Sequence, residues 1–398
     1  MKRLQKLLVC TAGAALLLGG TAVVMRSTVG WVHLVGSGSM EPSISTGDWV
    51  FVRYDRTEPD RYGCVVLADV GGGASVKRAL GLASERFRID GAGDVRINGA
   101  LLPIDDPGRP EPIPVFDSSL ASLEPTWQHG TEAFDPWERV TDPGPGEEWR
   151  LDGSAVGRGA ELGLLRFQER IDDGHLDSGG VLHHGTHVVH DVVVEFDARI
   201  ERMGGVLQVQ LTEQGDIFDA YIPLYPGAVQ HTAYLRRALA DKALDPIEGK
   251  KLPRLLSQAA VPVPLGEWVT VRFANVDNCL TLEVNGSRLS FNYDKERNTP
   301  HWNSPGGEPL STGPRVALGA TGLEMLVRNV RVLRDFHYVP RGEFGVNGEL
   351  TLKDNEIFVL GDSSAISRDS RDRGPIPLDR VIGKARSVVW PPEHQRDL

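Results

Sequence analysis

Two short stretches of this 398-residue chain carry the residue types best suited to chemistry. One is Val35-Gly36-Ser37-Gly38-Ser39-Met40-Glu41-Pro42, in which Gly36 and Gly38 free the backbone around Ser39 and Pro42 limits the turn. Read alone it is a Ser-Gly-Ser turn. Read as chemistry it is a nucleophile on a loop, and a serine hydroxyl needs a base because it is unreactive at neutral pH. The eleven histidines offer no persuasive partner. Four of them crowd into one run, His183, His184, His187 and His190, without a carboxylate at helical spacing, and no functional metal or cofactor is expected there. Lys77 is better placed. It stands in a strand-like apolar run with Val76, Ala79, Leu80 and Leu82, where it is either turned to solvent or desolvated. Desolvation disfavours the ammonium form and makes the neutral amine available as a base, and Ser–Lys pairs are a known variant of the serine hydrolase plan. A third stretch, residues 359–374, packs Asp362, Ser367, Asp369 and Arg371 into one loop after a strand. Alone, it reads as a solvated loop with a local Asp–Arg pair.

The elements that must position these residues read as β-structure. The chain holds 45 glycines and 26 prolines, which favours a turn-rich β protein over a helical one. Short apolar runs alternate with Gly, Asp and Pro from Trp49 to Ile104, and Asn98-Gly99 marks a hairpin. Longer runs between Trp149 and Tyr338 have the spacing of a two-sheet jelly roll, with a second hairpin at Asn285-Gly286. One helical stretch, about 233–256, is expected to interrupt it. No internal repeat stands out. The stretch Leu7–Met25 is apolar and uncharged; as a helix it covers roughly 28 Å, enough to span a bilayer. Lys2, Arg3 and Lys6 precede it, so the N-terminus is expected in the cytoplasm and the rest outside, as an uncleaved anchor rather than a signal peptide. The net charge of −11 and the lack of a basic run exclude a nucleic-acid partner. Cys10, Cys64 and Cys279 lack metal-ligand spacing.

The expected organisation is therefore mainly β, behind one N-terminal transmembrane helix. Residues 1–28 are the cytoplasmic start and anchor, 29–106 the first part of a catalytic core, 107–148 a Pro-rich linker, 149–340 an inserted jelly-roll β-sandwich, and 341–398 the second part of the core.

In order and spacing, the three stretches resemble the bacterial type I signal peptidases, the membrane-anchored Ser–Lys endopeptidases. SGSMEPSI (37–44), GDWVFV (47–52), VKRALGLASE (76–85) and LGDSSAISRDSR (360–371) match the family's four boxes, and the resemblance covers residues 1–105 and 341–392. It implies Ser39 as the nucleophile and Lys77 as the general base. It implies an oxyanion hole from the Ser37 hydroxyl and the Ser39 N–H, and Ser367 orienting the lysine. Asp369 and Arg371 would brace the loop with Arg78, and Met40 would contact substrate. No cofactor or metal is implied. The partners implied are exported preproteins, cut after small-x-small sites on the outer side of the cytoplasmic membrane, and the bilayer itself. The chain departs from the boxes at Ser43, at Ala83-Ser84 and at Ser363.

The insert resembles, more loosely, laminin-G and concanavalin-like sandwiches through residues 268–286 and 325–338, which implies a glycan or protein ligand, or none. Two rival readings of the whole chain stand beside the peptidase. One is a non-catalytic, membrane-anchored binding protein. The other is a Ser–Lys repressor-type autoprotease, which would need a DNA-binding domain where the apolar span lies.

Overall fold

The computed structural model describes residues 30–68, 73–123, 126–129, 137–140, 148–152, 163–177, 179–213, 216–239, 254–297 and 316–398. The expected span Leu7–Met25 and Cys10 lie outside these residues, and no helix among those described is long and apolar enough to cross a membrane. The chain divides into two compact units, residues 1–110 with 338–398, and residues 111–337.

The first unit is built on one antiparallel sheet drawn from both ends of the chain. Its order runs Gly30–Leu34, Trp49–Arg53, Val381–Trp390, Cys64–Ala68, Ala74–Gly81, Glu356–Leu360 and Ile376–Pro377. Alternate residues face opposite ways on a strand, so Val50 and Val52 are fully buried with Ala385, Val388 and Val66 in one core, while Val65, Val359 and Val381 form another. A smaller sheet pairs Leu350–Thr351, Arg86–Ile89, Val95–Ile97 and Ala100–Leu101. Its hairpin turns at Asn98-Gly99, whose φ values of 54° and 85° are those a two-residue turn of this type requires.

The second unit is a β-sandwich. One sheet contains Trp149–Asp152, Glu324–Arg334, Val192–Arg202, Trp268–Val276, Cys279–Val284 and Ser287–Asn292. The other runs Arg254–Pro262, Gln230–Leu239, Asp216–Leu224, Gly205–Glu213, Val316–Thr321, Gly163–Phe167 and Trp127–His129. Phe196, Val271 and Phe273 of the first meet Leu207, Val209 and Phe218 of the second in a common core.

Two expectations are corrected here. Part of the expected linker is sandwich: Ile113–Asp117, Trp127–His129 and Trp137–Arg139 all pair with strands of this unit. The apolar residues Val115, Phe116 and Trp127, spaced between the prolines, are buried in its core. The described ends of the expected helix over 233–256 belong to two antiparallel strands, Gln230–Leu239 and Arg254–Pro262, and residues 240–253 lie outside the described residues. Ala, Leu and Arg in "AYLRRALA" favour a helix, but Ala233 and Leu235 are fully buried at alternate positions, so pairing and burial override propensity.

Candidate active site

Ser39 lies in a single 3-10 turn, Gly38–Met40, inside a loop closed at its base by Val35 N–H to Asp48 O and Gly47 N–H to Val35 O. Met40 and Ile44 pin the loop to the core. Met40, expected to contact substrate, is only 1% exposed and packs in the core beneath the turn. Pinning the residue beside the nucleophile fixes where Ser39 points.

Lys77 belongs to Ala74–Gly81, a strand flanked on both sides and buried from Val76 onward. Its side chain is buried rather than turned to solvent. The amine donates to Ser39 Oγ at 2.6 Å and to the Val76 carbonyl at 3.0 Å. Both acceptors are neutral oxygens. Ser37 Oγ lies 3.4 Å from Ser39 Oγ, on the exposed side of the same turn.

The register between Ala74–Gly81 and Glu356–Leu360 sets Leu360 opposite Arg78. The chain after Leu360 therefore passes the dyad. Asp362 takes Arg78 in a bidentate grip, Nε to Oδ1 at 2.7 Å and Nη2 to Oδ2 at 2.6 Å, and the third bond goes to Tyr62 O. Burial works against the Arg78 cation, but Asp362 outweighs it and the net shift of the Arg78 pKa is upward. Arg78 was expected to join Asp369 and Arg371; its partner is Asp362 instead, because the strand register places that carboxylate beside it.

Asp369 and Arg371 do form the expected pair, with neither side chain exposed. Arg371 uses all five N–H groups: Nε and Nη2 on Asp369, Nη1 on Val339 O and Ser364 Oγ, Nη2 also on Ser364 O. Asp369 also caps the short helix Ser370–Arg373 and accepts from Gly361 N–H at 3.0 Å. Burial raises the Asp369 pKa, yet the Arg371 guanidinium and the Gly361 N–H bring it below the usual carboxylate value.

This brace holds the loop against Ser39. Ser363 N–H donates to Ser39 O at 3.2 Å, and a Cβ on Gly361 would run into both Ser39 O and the Ser367 side chain. Gly361 is thus a site residue missed in the sequence; its one signal is its place in the box at 360–371. Ser364 was missed as well, and nothing in the local sequence separates it from Ser363. Ser367 is fully buried beside Gly361, but its Oγ makes no hydrogen bond of good geometry. The expected Ser367–Lys77 hydrogen bond is not formed, since the lysine is turned to Ser39 and Val76.

The histidine run belongs to the other unit. His183, His184 and His187 pair with Asp177, Asp172 and Asp173 at 2.8, 3.2 and 3.1 Å. Cys64 and Cys279 are both free thiols, and burial pushes the Cys64 pKa up.

Among solved structures, similar chains include GH43B of the Bacteroides ovatus xyloglucan PUL, at 14% identity and TM-score 0.34, covering 73% of this chain and 51% of that one. An alginate lyase from Alteromonas has 10% identity and TM-score 0.28, covering 53% and 94%. The carbohydrate binding module CBM66 from Bacillus subtilis has 8% identity and TM-score 0.26, covering 50% and 97%. This chain spans about half the length of the first. Likeness at this level is too slight to fix either fold or function. No curated protein matches the chain. The family described as signal peptidase, peptidase S26, matches residues 5–140 and 274–390, more than half of the sequence. With that match, the chain belongs to the signal peptidase family, peptidase S26.

Proposed function

We propose that the protein is a type I signal peptidase that works through a Ser39–Lys77 dyad. The observation that carries this reading is the 2.6 Å contact between a buried lysine amine and Ser39 Oγ. An amine held away from water favours its neutral form, and the neutral form can accept the serine proton. Ser39 Oγ attacks the scissile carbonyl carbon while Lys77 takes its proton. The tetrahedral intermediate collapses, the C–N bond breaks, and Lys77 returns the proton to the departing amine. The signal peptide stays esterified to Ser39. A water then attacks the ester carbonyl, giving a proton to Lys77; the C–Oγ bond breaks, Lys77 returns that proton to Ser39 Oγ, and the peptide leaves as a carboxylic acid that ionises in solvent. Ser37 Oγ and the Ser39 N–H are the donors for the oxyanion, and losing the Ser37 hydroxyl is expected to cost about 10²–10³ in kcat. The apolar stretch Leu7–Met25 would hold the enzyme at the bilayer where preproteins emerge, raising the effective concentration of the cleavage site.

Cleavage of a preprotein with an Ala-x-Ala site by the full chain in detergent tests the proposal. The wild type is expected to cut. Ser39→Ala and Lys77→Ala are expected to lose cleavage while keeping the wild-type melting temperature. Cleavage that survives in either folded variant rejects the dyad, and no cleavage by folded wild type across several preproteins rejects the activity.

A further inference from the structure

In the second unit, strand alternation sends Leu207, Val209, Phe218, Ala220, Ala233 and Leu235 into the sandwich core. The residues between them, on the opposite face of the same sheet, form a polar and aromatic cluster. Cross-strand register aligns Gln210 with Asp219 and Asp219 with Arg236 in one row, and Gln208 with Tyr221 and Tyr221 with Tyr234 in the next.

These side chains are fixed on one another. Asp219 accepts from Gln208 Nε2 at 2.7 Å, from Gln210 Nε2 at 2.8 Å and from Arg236 Nη2 at 3.3 Å. The Arg236 guanidinium lies 3.7 Å from the centre of the Tyr221 ring. Gln208 and Asp219 are buried, although they point away from the apolar core, while Gln210, Tyr221, Tyr234 and Arg236 are half-buried. Toward the next strand the glutamines face Gly319 and Ala317, and Leu164 and Arg166 continue these two rows on the strand beyond. Buried polar groups on a sheet face cost stability unless fully satisfied. The peptidase chemistry of the other unit makes no use of them.

We propose that this face is a binding site for a neutral, polyhydroxylated sugar chain. A sugar ring has an apolar face and a rim of hydroxyls. Tyr234, and the part of Tyr221 that the stacked Arg236 guanidinium does not cover, supply flat surfaces for the ring face on two neighbouring strands. Gln210, held by Asp219, supplies a rigid donor and acceptor for hydroxyls, which both donate and accept, and the buried Gln208–Asp219 pair fixes it from below. Asp219 stands at the centre as an anion, and the charge of Arg236 is already committed to it. The centre therefore favours uncharged sugars over uronic or sulfated ones. The hydrogen bonds among the cluster hold its rotamers before the ligand arrives, which lowers the entropy lost on binding.

The full-length protein in detergent, titrated calorimetrically with neutral hexasaccharides (cello-, xylo-, laminari- and chitohexaose), tests this. Saturable binding is expected for at least one, with Kd in the range of about 10 µM to 1 mM. Tyr221→Ala and Gln210→Ala are each expected to weaken it about tenfold or more, at unchanged melting temperature, and Tyr221→Phe to retain it. Preprotein cleavage is expected to be the same in all three variants. Failure of every neutral hexasaccharide to bind overturns the proposal. So does binding that persists in Tyr221→Ala, or binding confined to oligouronates run as controls. None of these outcomes depends on whether the enzyme cleaves preproteins.

Discussion

Asp369 and Arg371 show what a single buried pair does at the residue scale. The guanidinium is wholly enclosed, and its five donors tie Asp369, Ser364 and Val339 into one cluster beneath the loop that touches Ser39. Removing the carboxylate charge leaves a buried cation uncompensated, so Asp369→Asn is expected to destabilise the protein by about 3–5 kcal/mol. The pH dependence follows from the direction of the shift. The folded Asp369 pKa lies below its unfolded value, so the pair's stabilisation is complete above the unfolded value of about 3.9 and is lost as pH falls through the folded one. Melting temperatures of wild type and Asp369→Asn should differ by a constant amount from neutral pH to about pH 5, then converge below about pH 4. A gap that stays constant through pH 3 would show that charge is not what the residue contributes. The pair was legible in the sequence because its two members are adjacent in one loop. The Arg78–Asp362 pair was not: 284 residues separate its members, and only the strand register joins them.

At the scale of elements, the departures from the signal peptidase boxes resolve into backbone roles. Ser363 contributes backbone groups, its N–H to Ser39 O and its carbonyl to the N–H groups of Ile366 and Ser367, which any residue except proline supplies. Ser84 is different. It sits at φ 65°, in the left-handed region that glycine adopts at no cost, and its hydroxyl bonds the exposed Asp354 at 2.7 Å. Ser84→Gly is expected to relieve about 1 kcal/mol of backbone strain, with little lost at the exposed hydrogen bond. A melting temperature that rises slightly, with kcat/KM unchanged, would bear this out; a fall would show that the Ser84–Asp354 bond governs the turn. Strands and hairpins were the legible elements, because period-two burial and Asn-Gly turns are local signals. The pairing of Gln230–Leu239 with Arg254–Pro262 was not, because residues 233–239 favour a helix on their own and only neighbouring strands decide otherwise.

At the scale of the whole molecule, the first unit's sheet cannot be assembled from the N-terminal segment alone. Val381–Trp390 lies between Trp49–Arg53 and Cys64–Ala68, and Glu356–Leu360 closes the far side of the lysine strand. Every side chain of the proposed dyad and its brace belongs to this unit, whereas residues 111–337 bury their own core of Phe196, Leu207, Phe218 and Phe273. Separate cores imply separable folding. A chain in which residues 111–337 are replaced by a flexible Gly/Ser linker is therefore expected to unfold in one cooperative transition and to retain preprotein cleavage within about tenfold of wild type. Closing a loop of disordered residues costs only slowly more as it lengthens, so linker length is a mild variable. If the excised chain fails to fold with every linker tried, the catalytic sheet depends on contacts with the sandwich. If it folds but loses cleavage, the sandwich takes part in substrate capture, and the sugar-binding face becomes the first place to look for how.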